Sequence, residues 1–131
     1  MKTMNSNIFR KDFKSVDEYI DTQFPALKPF FETDNNHRFF DMIKTGASNL
    51  IENGGRVSFY RPSDFKDELD DGIEYIASQS EDVISDTIEF LSEYCGNYIS
   101  NMGIHVREEE KEDFDETIQS LFAIERGKRG E

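Results

Sequence analysis

The stretch that decides the fold runs from Ser80 to Met102 and reads SEDVISDTIEFLSEYCGNYISNM. Ile84, Ile88, Leu91, Cys95, Tyr98 and Met102 recur at helical spacing and form an apolar line. Asp82, Asp86, Glu89 and Glu93 recur at the same spacing and form a second line. At about 100° per residue the two lines fall roughly 180° apart. The segment therefore reads as one long amphipathic helix. One face holds the core, and the other presents a row of carboxylates with no cation among them.

The neighbouring segments repeat the pattern. Ser63 is the expected cap of a helix to about Ser78, with Phe65, Leu69, Ile73 and Ile76 as its buried line. Asp67, Asp70, Asp71 and Glu74 make the opposite line. Gly72 sits on the apolar side at a cost of about 1 kcal/mol relative to alanine. Close approach of another helix would explain it. Downstream, Gly103 ends the long helix, and a last helix spans about Glu108 to Arg126 with Phe114, Ile118, Leu121 and Phe122 buried. Its first turns carry Glu108, Glu109, Glu110, Glu112, Asp113, Asp115 and Glu116. Carboxylates there suit the positive end of the helix dipole, but seven exceed what a dipole needs.

The first half is less regular. Residues 1–14 read as a loosely ordered arm that docks by its phenylalanines. Ser15 and Glu18 fit a capping box for a short helix, which Pro25 stops. ALKPFFET reads as an apolar connector. Asp34 is the expected cap of a helix carrying Phe39, Phe40, Ile43, Ala47, Leu50 and Ile51 on one face, and Asn53-Gly54-Gly55 ends it. Its outward face holds Asp41, Lys44, Thr45 and Ser48, so it is mixed rather than acidic. Residues 56–60 and 104–106 are short extended stretches that could pair as a ribbon. The expected fold is mainly α: a single compact domain of about five helices with a minor two-stranded β-ribbon. The arm is 1–14, the helical domain 15–126 with an acidic half at 63–126, and the frayed tail 127–131.

The length, 131 residues, suits one domain with a modest core. No apolar run is long enough to cross a membrane. The opening MKTMNSNIF lacks the apolar run of a signal peptide. Cys95 is the lone cysteine, which excludes an internal disulfide and a thiolate metal cluster. The expected compartment is the cytoplasm, or the host cytoplasm if the source is viral.

The net charge is −13, and it is unevenly placed. Residues 1–62 hold nine basic and eight acidic side chains, residues 63–126 four basic and nineteen acidic, and the tail two basic and one acidic. A whole-surface cause would spread the acid evenly. An ordinary solvated helix interleaves lysine with glutamate, because like charges four residues apart cost about 0.2–0.5 kcal/mol per pair. Here such pairs recur, as in Asp67–Asp71, Asp70–Glu74, Asp82–Asp86, Glu89–Glu93 and Glu112–Glu116, with Lys66 and Lys111 the chief offsets. Folding alone does not ask for this.

At 1.5 Å rise per residue, the line from Asp82 to Glu93 carries four charges over roughly 16 Å. One DNA strand carries a charge about every 3.4 Å. A basic nucleic-acid-binding groove would be drawn to such a surface. In composition and architecture, residues 63–126 resemble the small acidic DNA-mimic inhibitors that phages direct at restriction enzymes and CRISPR effectors. The resemblance implies a stoichiometric inhibitor, not an enzyme, that covers the basic surface of a nuclease or similar nucleic-acid-handling protein. The expected contact residues are Asp67, Asp70, Asp71, Glu74, Asp82, Asp86, Glu89, Glu93, Glu109, Glu112 and Glu116. No cofactor or metal is expected, nor direct nucleic-acid binding or membrane contact. The surface is compatible with a monomer or a dimer.

Two other classes fit some of the residues. An acidic adaptor would bind a basic partner without blocking nucleic acid. Asp67-Glu68-x-x-Asp71 followed by Asp86-x-x-Glu89 faintly resembles the carboxylate pattern of all-helical, magnesium-dependent nucleoside triphosphate pyrophosphohydrolases. Two aspartates stand where that pattern has glutamates, and the second motif is reversed. His37 and His105 lie in different segments, without the spacing of a zinc site. Cys95 falls on an apolar line and reads as a buried, inert thiol.

Overall fold

Among the described residues the chain forms seven α-helices and one 3-10 turn. The computed structural model describes residues 13–33, 37–52, 60–102, 106–128 and 130, with the backbone alone at 101 and 102. The helices are α1 (Val16–Gln23), α2 (Lys28–Phe31), α3 (Arg38–Glu52), α4 (Pro62–Asp71), α5 (Ile73–Ala77), α6 (Glu81–Met102) and α7 (Glu108–Lys128). The 3-10 turn is Pro25–Leu27. No strand occurs among the described residues. The expected ribbon falls mostly outside them; of its residues, Tyr60 and Val106 are described, and neither is in a strand.

Ser15 caps α1 as its sequence asks, its Oγ accepting the Glu18 N–H at 3.1 Å. The Glu18 carboxylate reaches one residue further back than a capping box does and accepts the N–H of Lys14 at 2.9 Å. Pro25 ends α1, but ALKPFFET is not a plain connector. It forms the 3-10 turn and α2, each with a proline in its first two positions, where a missing N–H costs nothing.

α3 starts one residue after His37. The imidazole Nδ1 accepts the Phe39 N–H at 3.0 Å, so His37 fills the capping role expected of Asp34, which lies outside the described residues. Pro62 opens α4, and the Asp64 carboxylate accepts the Arg61 N–H at 2.8 Å. Ser63 is therefore inside the first turn rather than the cap. The helix expected to run to Ser78 breaks at Gly72 into α4 and α5. The break shifts the phase: Phe65, Leu69 and Ile76 stay buried, while Ile73 is exposed.

α6 is the central helix. Besides Ile84, Ile88, Leu91, Cys95 and Tyr98 it buries Val83, Thr87, Phe90, Tyr94 and Asn97, so about half its circumference is covered. α7 packs along both α4 and α6, the 3-10 turn lies on α6, and α3 crosses α6. Gly46 permits that crossing: a Cβ there would stand 3.1 Å from the Tyr94 ring and 3.3 Å from that of Phe90. Phenylalanine rings fill the centre edge to face. Phe24 meets Phe90 at 5.8 Å, and Phe65 meets Phe39 at 6.3 Å and Tyr94 at 5.1 Å. Each such side chain contributes about 1.5–3 kcal/mol by leaving water. The buried line of α7 also differs from expectation. Thr117, Leu121 and Glu125 are buried, Phe114 and Ile118 half-buried, and Phe122 exposed. Phe13 packs its ring edge on Tyr19 at 5.3 Å; residues 1–12 of the expected arm lie outside the described residues.

Candidate functional site

The acidic side chains divide between two environments. α4 and α7 lie against each other through Phe65, Leu69 and Leu121 in the shared core. Their outward faces hold Asp67, Asp70 and Asp71 on one side and Glu109, Glu112 and Glu116 on the other, all exposed, with Glu74 following on α5. Lys66 joins the two helices. Its ammonium stands 3.4 Å from Asp70 and 3.5 Å from Glu116. The hydrogen bond to Asp70, then the charges of Asp70 and Glu116, raise the lysine pKa above its ordinary value. Carboxylates from two helices thus gather about one cation. Lys111 offsets Glu108 at 3.7 Å, and Arg107 lies 4.0 Å from Glu110.

The line on α6 has another role. Asp82 and Glu89 are exposed, but Asp86 and Glu93 are half-buried. The Asp86 carboxylate accepts the Ala26 N–H at 3.0 Å, and Glu93 accepts the Tyr19 hydroxyl proton at 3.1 Å. Burial first, then the Glu93 charge, holds the Tyr19 pKa well above the usual tyrosine range. The row expected to face outward is only half outward. Phe24 docks on Phe90, at the edge of the buried arc of α6, and the chain on either side of Phe24 then covers two of the four carboxylates. Asp86 and Glu93 meet the 3-10 turn and α1, not the face shared by α4 and α7.

The start of α3 meets the end of α4 at a third place. His37 Nε2 is 3.9 Å from an Asp71 oxygen, and Arg38 Nε is 3.4 Å from Glu68. One ligand atom from each of His37, Glu68 and Asp71 lies within 4.8 Å of the other two. The imidazole rests on Gly72, where an added Cβ would collide with the ring, and stacks beside Tyr75 at 6.0 Å between centroids. The close approach that Gly72 permits is therefore by a histidine ring rather than by a helix. Beside it, Arg38, Met42, Tyr60, Asp64, Asp67 and Glu68 line an open cleft of about 230 Å³. Sequence spacing could not find this cluster, since His37 precedes α3 and Glu68 lies in α4; His105 lies outside the described residues.

The carboxylates compared with the pyrophosphohydrolases lie in different settings. Asp67 and Asp71 are exposed on α4, and Asp86 is turned to Ala26. Cys95 is buried, and burial pushes its thiol pKa up, away from the thiolate a nucleophile needs. No described helix is long and apolar enough to cross a membrane. Comparison with protein-family models, with curated proteins and with solved structures found no match.

Proposed function

We propose that this protein is a non-catalytic, stoichiometric inhibitor that lays its acidic α4–α7 face on the nucleic-acid-binding surface of a basic protein. The observation that carries the reading is the placing of Asp70 and Glu116, from two helices, on the single ammonium of Lys66. It brings the acidic sides of two helices together, and Asp67, Asp71, Glu74, Glu109 and Glu112, exposed on α4, α5 and α7, are read as parts of the same face. Exposed carboxylates at this density repel one another, and a cationic partner removes that cost on binding. Asp82 and Glu89 remain exposed on α6, while Asp86 and Glu93 on the same line serve the fold first.

Steering by such a face gives fast, salt-sensitive association and excludes nucleic acid from the same groove. The test is a capture from cell lysate on the immobilised protein, followed by elution with duplex DNA at fixed ionic strength. Release of nucleic-acid-binding proteins by DNA supports inhibition by occupancy. A retained partner that binds DNA while still held would make the protein an acidic adaptor instead.

A further inference from the structure

We infer that His37, Glu68 and Asp71 form a site for one divalent transition-metal ion of the zinc, cobalt or nickel class. This goes beyond the binding face proposed above and does not depend on it. The three donors sit within 4.8 Å of one another. One imidazole nitrogen with two carboxylate oxygens suits borderline-soft cations and disfavours magnesium and calcium, which take oxygen donors. Glu68 and Asp71 are three residues apart and so share one face of α4. They stand in its last turn, where the carbonyl end of the helix favours a cation.

Gly72 and Tyr75 place the imidazole here, while the Phe39 cap on Nδ1 opposes loading and must break when Nε2 takes a metal. Gly72 leaves room for the ring where any side chain would displace it, and Tyr75 stacks beside it. Nδ1 is taken by the Phe39 N–H, so Nε2 is the nitrogen turned toward Asp71. Zinc bonds of about 2.0–2.2 Å bring tetrahedral ligands to roughly 3.3 Å from each other. The trio must therefore close by about an ångström and a half, which rotation of the exposed Asp71 side chain and of Glu68 supplies. Water completes the coordination.

Loading has two local consequences. In the neutral ring an accepting Nδ1 leaves the proton on Nε2. When the metal takes Nε2, that proton moves to Nδ1, with none released, and the Phe39 N–H loses its acceptor. Arg38, 3.4 Å from Glu68, swings out to solvent. The Phe39 amide is thus a reporter of the site that binding elsewhere on the acidic surface would not move.

The experiment is a titration of the full chain with Zn²⁺ in excess Mg²⁺, followed by calorimetry and by amide NMR. The expected result is one ion per chain with a shifted Phe39 amide. His37→Asn keeps a capping side chain, so the fold is retained, and should weaken binding at least ~10-fold. Glu68→Gln and Asp71→Asn should weaken it likewise. No binding in excess Mg²⁺, binding with several ions per chain, or equal affinity in the His37→Asn protein would each overturn the assignment.

Discussion

The Asp86 carboxylate accepts the backbone N–H of Ala26 at 3.0 Å, sixty residues away in the chain. Pro25 precedes Ala26 and has no N–H, so Asp86 satisfies the first donor that the 3-10 turn presents. A side chain from the central helix thus caps the start of another element.

Asp86→Ala should therefore destabilise the protein by about 1.5–3 kcal/mol, the usual range for a hydrogen bond to a charged group. Asp82→Ala, on the same face but exposed, should stay within about 0.5 kcal/mol. Urea unfolding of the two variants checks the difference. Equal midpoints would mean that the Asp86 bond contributes nothing.

Much of the helical layout could be read directly. The periodic positions of Phe39 to Leu50 and of Ile84 to Tyr98 are buried, and Ser15 and Pro25 bound α1 as their chemistry requires. Tertiary partners settled what periodicity could not. Asp86 and Glu93 look identical to Asp82 and Glu89 in spacing, and Phe24 on Phe90 decides which pair is covered. His37 took the cap of α3 because Gly72 made room for its ring. Ile73 turned outward because the helix breaks at that same glycine. The acidity of the α4–α7 face was legible; the meeting of Asp70 and Glu116 on Lys66 was not, since it joins two helices distant in sequence.

Gly72 and His37 should be strongly coupled. Gly72 sits between two helices at φ −111°, which alanine can adopt, so the substitution should gain about 0.4–1 kcal/mol by restricting the unfolded chain. At Gly72 the new methyl would displace the His37 ring and with it the Phe39 cap, worth a similar amount. Gly72→Ala should thus fail to stabilise the wild type and should stabilise the His37→Ala background by about 0.4–1 kcal/mol. Additive thermal shifts in the double-mutant cycle would show that ring and glycine do not interact.

Alkaline pH should unfold the protein. Burial, then the hydrogen bond to Glu110, pushes the Tyr98 pKa up to about 12. Tyr19 and Tyr94 are raised too, chiefly by burial. The folded state then binds more protons than the unfolded one, and ∂ΔG/∂pH is negative. This contribution is full below about pH 10, the ordinary tyrosine value, and is lost as pH rises through about 12. Denaturant midpoints that stay flat from pH 9 to 12 would contradict it.

Cys95 should resist thiol reagents in the native protein, because it is buried and its ionisation is suppressed. Labelling should appear only with unfolding, as mass spectrometry across a urea series would show. Rapid modification in native buffer would place the thiol nearer the surface than the core of α6 allows.

Charge reversal on the α4–α7 face tests the proposed function most directly. Asp67, Asp70, Asp71 and Glu74 are exposed, so replacing all four by lysine should leave the helical circular dichroism spectrum unchanged. Binding to a DNA-displaceable partner captured by the wild type should then be abolished, and the partner should again retain DNA in the presence of the variant. A folded variant that still binds that partner with unaltered affinity would contradict the account.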